Sequence, residues 1–252
     1  MAALREAALR TSSQRACYHF VARTLLRSDG HLQVVSGFLA LGLVASAAVL
    51  SSAPSLHSLV TGNLPSLEFL SVPFILSYCL IVGIRLAFEI PADLPANWIF
   101  QFWLDRERHE ARPIARRVLL FFSLSWLVPA CFLVTLAFWG WPTALLHTAI
   151  LILCIVVLVE VLLLKFRKIP FTCAHPSFKS HSGLIGVAYL FGYVFFSYYL
   201  PQMENWSLSD PWRIVWFAPL LAMVLGAVHL YRKQMLDMDK ELVFEDVSAP
   251  GF

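Results

Sequence analysis

Three ionisable residues stand inside apolar runs of this sequence, where a charge is expensive and is therefore a candidate for work: Arg85, Glu89 and Glu160. Arg85 and Glu89 are four residues apart, so they share a helix face and can neutralise each other, with Arg85 free to snorkel toward headgroups. Glu160 stands in CIVVLVEVLLLKF, about one turn deeper than Lys165. It needs a partner, water or a proton. The expected partners are Lys165 or, on a neighbouring helix, Arg85; the alternative is a carboxylate that responds to protons or substrate.

His147 and His229 lie near opposite ends of apolar runs and are expected to reach interfacial water. Cys173, His175 and His181 invite a metal reading, but their spacing matches no specific zinc pattern, and no metal or cofactor is expected. Cys79, Cys131 and Cys154 fall in apolar runs and Cys17 in a basic segment, so no disulfide framework is expected. The chain has no GxSxG elbow, HExxH, P-loop or Gly-rich dinucleotide fingerprint, so it is not expected to be an ATPase itself.

The elements that hold these residues follow from composition. Of 252 residues, 59% are hydrophobic and 14% charged, and the mean hydropathy is +0.71, which excludes an ordinary water-soluble domain. The net charge of +3 is too small to suggest nucleic acid as a partner. A span needs about 20 mostly apolar residues. Six windows approach this: Leu32 to Ser52, Leu67 to Ile90, Val118 to Phe138, Ala144 to Phe166, Leu184 to Leu200 and Trp212 to Tyr231. The fold class is all-α, a polytopic transmembrane helical bundle of about six spans.

The lysines and arginines orient that bundle, because basic loops stay in the cytoplasm. They cluster before the first span, between the second and third, after the fourth and after the sixth. Ala53 to Ser66, the turn Gly140 to Thr143 and Pro201 to Pro211 have none, with Arg213 just beyond the last. Both termini are therefore expected in the cytoplasm, with residues 1–31 and 232–252 forming polar ends around a 32–231 membrane domain. A five-span alternative makes the fifth segment re-entrant.

Outside the spans, ACYHFVARTLLRSDGH reads as an interfacial helix presenting Phe20, Leu25 and Leu26 to lipid. After the second span, Asp93 is placed as an N-cap with Pro95 in the first turn of an amphipathic cytoplasmic helix bearing Trp98, Ile99, Phe102 and Trp103. The loop after the fourth span carries Lys168, Pro170 and Pro176 and is not helical throughout. Asp93, Asn97, Trp98, Lys168 and Pro170 are the candidate partner-docking residues of these two loops. The endings Phe88 to Pro91 and Phe166 to Pro170 resemble each other through shared helix termination. The first residues lack the apolar core of a cleavable signal, and the acidic tail Asp237 to Phe252 is expected to be disordered.

ARTLLRS before the first span, LPANWIFQ after the second and RKIPFTC after the fourth resemble an uncharacterised group of bacterial multi-span membrane proteins, over most of the chain. The group has an arginine where this sequence has Pro95 and a different continuation at Ala174-His175-Pro176. Its members are longer, with further spans upstream, and the resemblance implies that this chain is expected to correspond to their C-terminal portion. The resemblance implies a multi-span topology and a bacterial inner membrane, and brings no activity or catalytic residues.

A basic interfacial helix before six spans, with an amphipathic helix after the second, is the layout of a permease-like transporter subunit. A separate ATPase docking at Asp93 to Arg108 and the lipid bilayer are the implied partners. The alternatives are a non-transport scaffold or assembly subunit and a membrane-embedded lipid-modifying enzyme.

Overall fold

A computed structural model describes residues 12–53, 55, 64–92, 111–164, 166, 170–171 and 182–238. These residues are helical apart from turns and short connections. Among the described residues, four helices or helix pairs are long and apolar enough to cross a membrane: Asp29–Ser51, Leu67–Ala87, Arg112–Trp139 and Trp141–Leu162.

The chain enters through α1, Ser12–Arg27, which leads almost directly into α2, Asp29–Ser51. The buried face of α1 is Cys17, Tyr18, Val21 and Leu25, whereas Leu26 is exposed and Phe20 half-buried. This corrects the expected lipid face. Spacing of one, four and eight residues makes the buried stripe, and it packs on protein, against α2 and the start of the third span.

Apart from His31, Gly42 and Ser46, α2 is exposed or half-buried. Large side chains such as Leu41, Leu43 and Val44 point outward. Small residues inside and large apolar ones outside are what a lipid-facing helix requires, since close backbone approach then supplies the packing. That approach is made on α3, Leu67–Ala87, where a Cβ at Gly83 would lie 2.7 Å from the Cβ of Phe38. α3 is the central helix, buried along most of its length. Its N-terminus is capped by Ser66, whose Oγ accepts from the Phe69 N–H at 3.2 Å.

α4, Ala111–Leu124, and α5, Leu127–Trp139, together make the third span. The break at Ser125 and Trp126 falls four residues before Pro129, whose ring opposes the Ser125 carbonyl and which offers no N–H. The span begins earlier than Val118, so Arg112, Arg116 and Arg117 are on the helix and not in a loop. The turn into α6, Trp141–Leu162, is made by Gly140 alone at φ +80° and ψ 176°, a region only glycine occupies without strain, and the helix resumes at Trp141.

The fifth predicted span departs most from expectation. α7, Ser182–Val194, passes through a π-helical turn, Phe195–Tyr199, into α8, Leu200–Leu208, so the helix runs on past Pro201 through the segment expected to be an outer loop. The Leu200 N–H reaches back five residues to the Phe195 carbonyl. Widening the helix just upstream of Pro201 accommodates a residue that cannot donate. A 3₁₀ turn, Pro211–Arg213, leads to α9, Ile214–Met238, whose apolar described stretch is Ala222–Tyr231.

Where span four ends, the two look-alike endings meet. The Phe171 N–H donates to the Phe88 carbonyl at 3.3 Å, and the Ala92 N–H donates to the Phe171 carbonyl at 3.0 Å. The Phe88 ring meets Phe171 edge-on and Phe166 at a tilt. Nε2 of His31 donates to the Ile90 carbonyl at 3.0 Å while Nδ1 lies 2.7 Å from the Ser28 hydroxyl. A carbonyl only accepts, so Nε2 carries the proton. Pro170 is buried here. Asp93, Asn97, Trp98 and Lys168 lie outside the described residues, as do Lys165, Cys173, His175 and His181.

Candidate functional site

A fully buried polar pair joins α6 to α8. His147 lies six residues into α6 and Glu204 in the middle of α8, and both side chains are fully shielded from solvent. Nδ1 of His147 lies 2.6 Å from Oε1 of Glu204, within hydrogen-bond distance. His147 was expected to reach interfacial water; instead α8, continuing past Pro201, covers it. The Phe74 ring of α3 stands edge-on to the imidazole at 6.2 Å between centroids. Nε2 of His147, Oε2 of Glu204 and the neighbouring Thr148 hydroxyl have no hydrogen-bond partner.

The π turn and α3 set this geometry. The Tyr78 hydroxyl donates to the Tyr189 carbonyl at 2.5 Å, and its ring packs against Tyr193 and Phe196. Gly192 permits the contact: a Cβ there would sit 2.7 Å from the Tyr78 oxygen. Downstream, Leu200, Pro201, Glu204, Ser207 and Leu208 form the buried stripe of α8. That helical periodicity was present in the sequence, masked by the expectation that Pro201 ends the helix. A groove of about 550 Å³ runs along the outer face of α6, lined by Trp141, Thr143, Leu145 and Leu146 of α6 and by Leu208 of α8; neither His147 nor Glu204 lines it.

Thirteen residues further along α6, about 20 Å at the helical rise, stands Glu160. Arg112 Nη2 donates to Oε2 at 2.7 Å and Arg116 Nε to Oε1 at 2.5 Å; the expected partner Lys165 lies outside the described residues. Arg112 and Arg116 are one turn apart on α4, so each presents its guanidinium to one carboxylate oxygen. The expected Arg85–Glu89 pair is formed, with both side chains largely buried. Nε of Arg85 also donates to the Leu162 carbonyl at 3.3 Å, at the C-terminal end of α6, and the guanidinium lies over the Phe166 ring. His229 is exposed on α9, facing the same end of the bundle as Glu160.

Helices of membrane length, apolar side chains turned outward and ion pairs turned inward define a multi-span helical membrane protein. No family model, curated protein or solved structure matches the chain.

Proposed function

We propose that this chain is a permease-like transport subunit of a bacterial inner membrane, with both termini cytoplasmic, in which His147 and Glu204 carry a proton. The observation that supports this is a histidine–glutamate pair sealed in the bundle, hydrogen-bonded to each other, with the Cys131 thiol beside the imidazole. With a proton on Nε2 as well as between Nδ1 and Oε1, the pair is net neutral, as a low-dielectric surrounding favours. Loss of the Nε2 proton leaves one uncompensated negative charge. That state requires water or a helix rearrangement.

Coupling the pair's proton occupancy to the packing of α6 on α8 is a way to make access alternate between the two sides. The four helices of membrane length among the described residues supply the multi-span setting that this reading needs. The proton supplies an energy source without an ATPase at residues 93–108.

The test is proton flux in proteoliposomes holding a trapped pH-sensitive dye, driven by a potassium diffusion potential. Wild-type protein is expected to acidify or alkalinise the lumen faster than empty liposomes. Glu204→Gln and the double substitution His147→Leu/Glu204→Met are expected to return the rate to that of empty liposomes. Equal flux in wild type and Glu204→Gln overturns the proposal, as does flux no greater than in empty liposomes.

A further inference from the structure

The π turn Phe195–Tyr199 lies between two fixed points. Upstream, the Tyr78 hydroxyl holds the Tyr189 carbonyl of α7 at 2.5 Å; downstream, His147 holds Glu204 of α8 at 2.6 Å. A π turn carries one residue more than the α-helical turn it replaces, so this turn sets which face of α8 meets α6. At about 100° per α-helical residue, reforming it as α-helix while α7 stays pinned rotates α8 by one residue position. Met203 then takes the direction now held by Glu204, and Glu204 takes that of the half-buried Asn205.

Two stripes run along α8, one for each register. The present buried stripe is Leu200, Pro201, Glu204, Ser207 and Leu208. One residue earlier, at the same helical spacing, run Tyr199, Leu200, Met203, Trp206 and Ser207. This second stripe has no carboxylate and two large aromatic side chains, yet Tyr199 and Trp206 now stand 54% and 49% exposed. Met203 already packs against the core. Three features hold the present register: the bond of Glu204 to His147, the Arg213 guanidinium 4.9 Å from the centre of the Trp206 ring, and Pro201. In an α-helix Pro201 would leave the Ser197 carbonyl without its donor and press its ring against it.

We infer that the π turn is a register switch: in its second position α8 covers His147 with Met203 and carries Glu204 out of the sealed pair. The switch rests on the proton-carrying reading for its purpose and supplies that reading with its moving part. The rotation itself is measured without proton flux.

The experiment is fluorine NMR of the full chain labelled with 5-fluorotryptophan in lipid nanodiscs. The Trp206 resonance is assigned by its loss in Trp206→Phe, and its exposure is read by broadening from a spin-labelled lipid and from a water-soluble paramagnetic chelate. The wild-type resonance is expected to broaden, because Trp206 is half exposed. In the second register Trp206 takes the direction of the buried Ser207 and is shielded from both agents. Pro201→Ala restores the donor and removes the clash, so a shielded Trp206 resonance is expected, the equilibrium shifting towards it by up to about 100-fold, the penalty of proline against alanine inside a helix. Glu204→Leu removes another hold and is expected to raise the same resonance. Deleting Ser197 from the Pro201→Ala chain takes out the extra residue; the helix is then α throughout with Glu204 still facing His147, and the shielded resonance is expected to vanish.

A single broadened Trp206 resonance in both Pro201→Ala and Glu204→Leu overturns the inference. So does a shielded resonance that survives the deletion, because the turn would then not be its source. A shielded resonance in a protein that carries no proton leaves the switch standing and overturns the proton reading alone.

Discussion

Replacing Glu204 by alanine is predicted to destabilise the protein far more than a surface substitution, and the geometry sets the size. The change removes the 2.6 Å hydrogen bond and deprives a fully buried imidazole of its carboxylate partner. Breaking a buried pair from one side costs about 3–5 kcal/mol. At about 2–4 °C per kcal/mol for a chain of this length, the melting temperature should fall by about 6–20 °C. His147→Ala should behave alike. Replacing both partners with apolar residues, His147→Leu with Glu204→Met, leaves no orphaned polar group and should recover most of the loss, because such swaps are often neutral or stabilising. Cys79 and Cys154 are free and buried, so a thiol-reactive fluorophore reports unfolding in detergent. The reasoning is refuted if the double variant is no more stable than the worse single variant. A stable double variant that carries no proton separates the pair's chemistry from its packing role.

Three further outcomes follow from individual contacts. Gly192→Ala should cost about 1–3 kcal/mol by driving a methyl group into the Tyr78 hydroxyl, and Tyr78→Phe in the same chain should recover part of it, measured by the same thiol melt. Gly140→Ala meets ample space, with only Pro142 Cδ at 3.9 Å, so its loss of about 1–3 kcal/mol should come from backbone strain at φ +80°. Gly140→Ser should then lose the same amount, and a much larger loss would point to crowding instead. Glu160→Gln should destabilise the protein through Arg112 and Arg116, and a charge-swapped Glu160→Arg/Arg112→Glu chain should melt closer to wild type than Glu160→Arg alone.

Some of this was legible in the sequence for a physical reason. Arg85 and Glu89 pair because residues four apart on a helix meet whatever the tertiary fold. Glu160 stood out because an acid among aliphatic residues must be compensated, but its partners did not, because Arg112 and Arg116 sat in a basic run that read as a solvated loop. The helix in fact begins by residue 111, which brings those arginines against α6. His147 misled because distance along a helix was taken for distance from water, and a covering helix removes that equivalence. Glu204 was hidden by Pro201. A π turn carries the helix past that proline, and nothing in single-residue propensity signals such a turn. The docking of Phe171 on Phe88 had a visible trace in two similar endings, read as common termination when the two also bind each other.

The most direct measurement of the central claim is infrared difference spectroscopy of the reconstituted protein, with and without an imposed proton gradient, in wild type and Glu204→Gln. A working pair predicts a carboxyl band that changes intensity when the gradient is applied, shifts in deuterated buffer and is missing from Glu204→Gln. Identical difference spectra for the two proteins would contradict the account, because the buried pair would then be a tether between α6 and α8 and not the carrier of a proton.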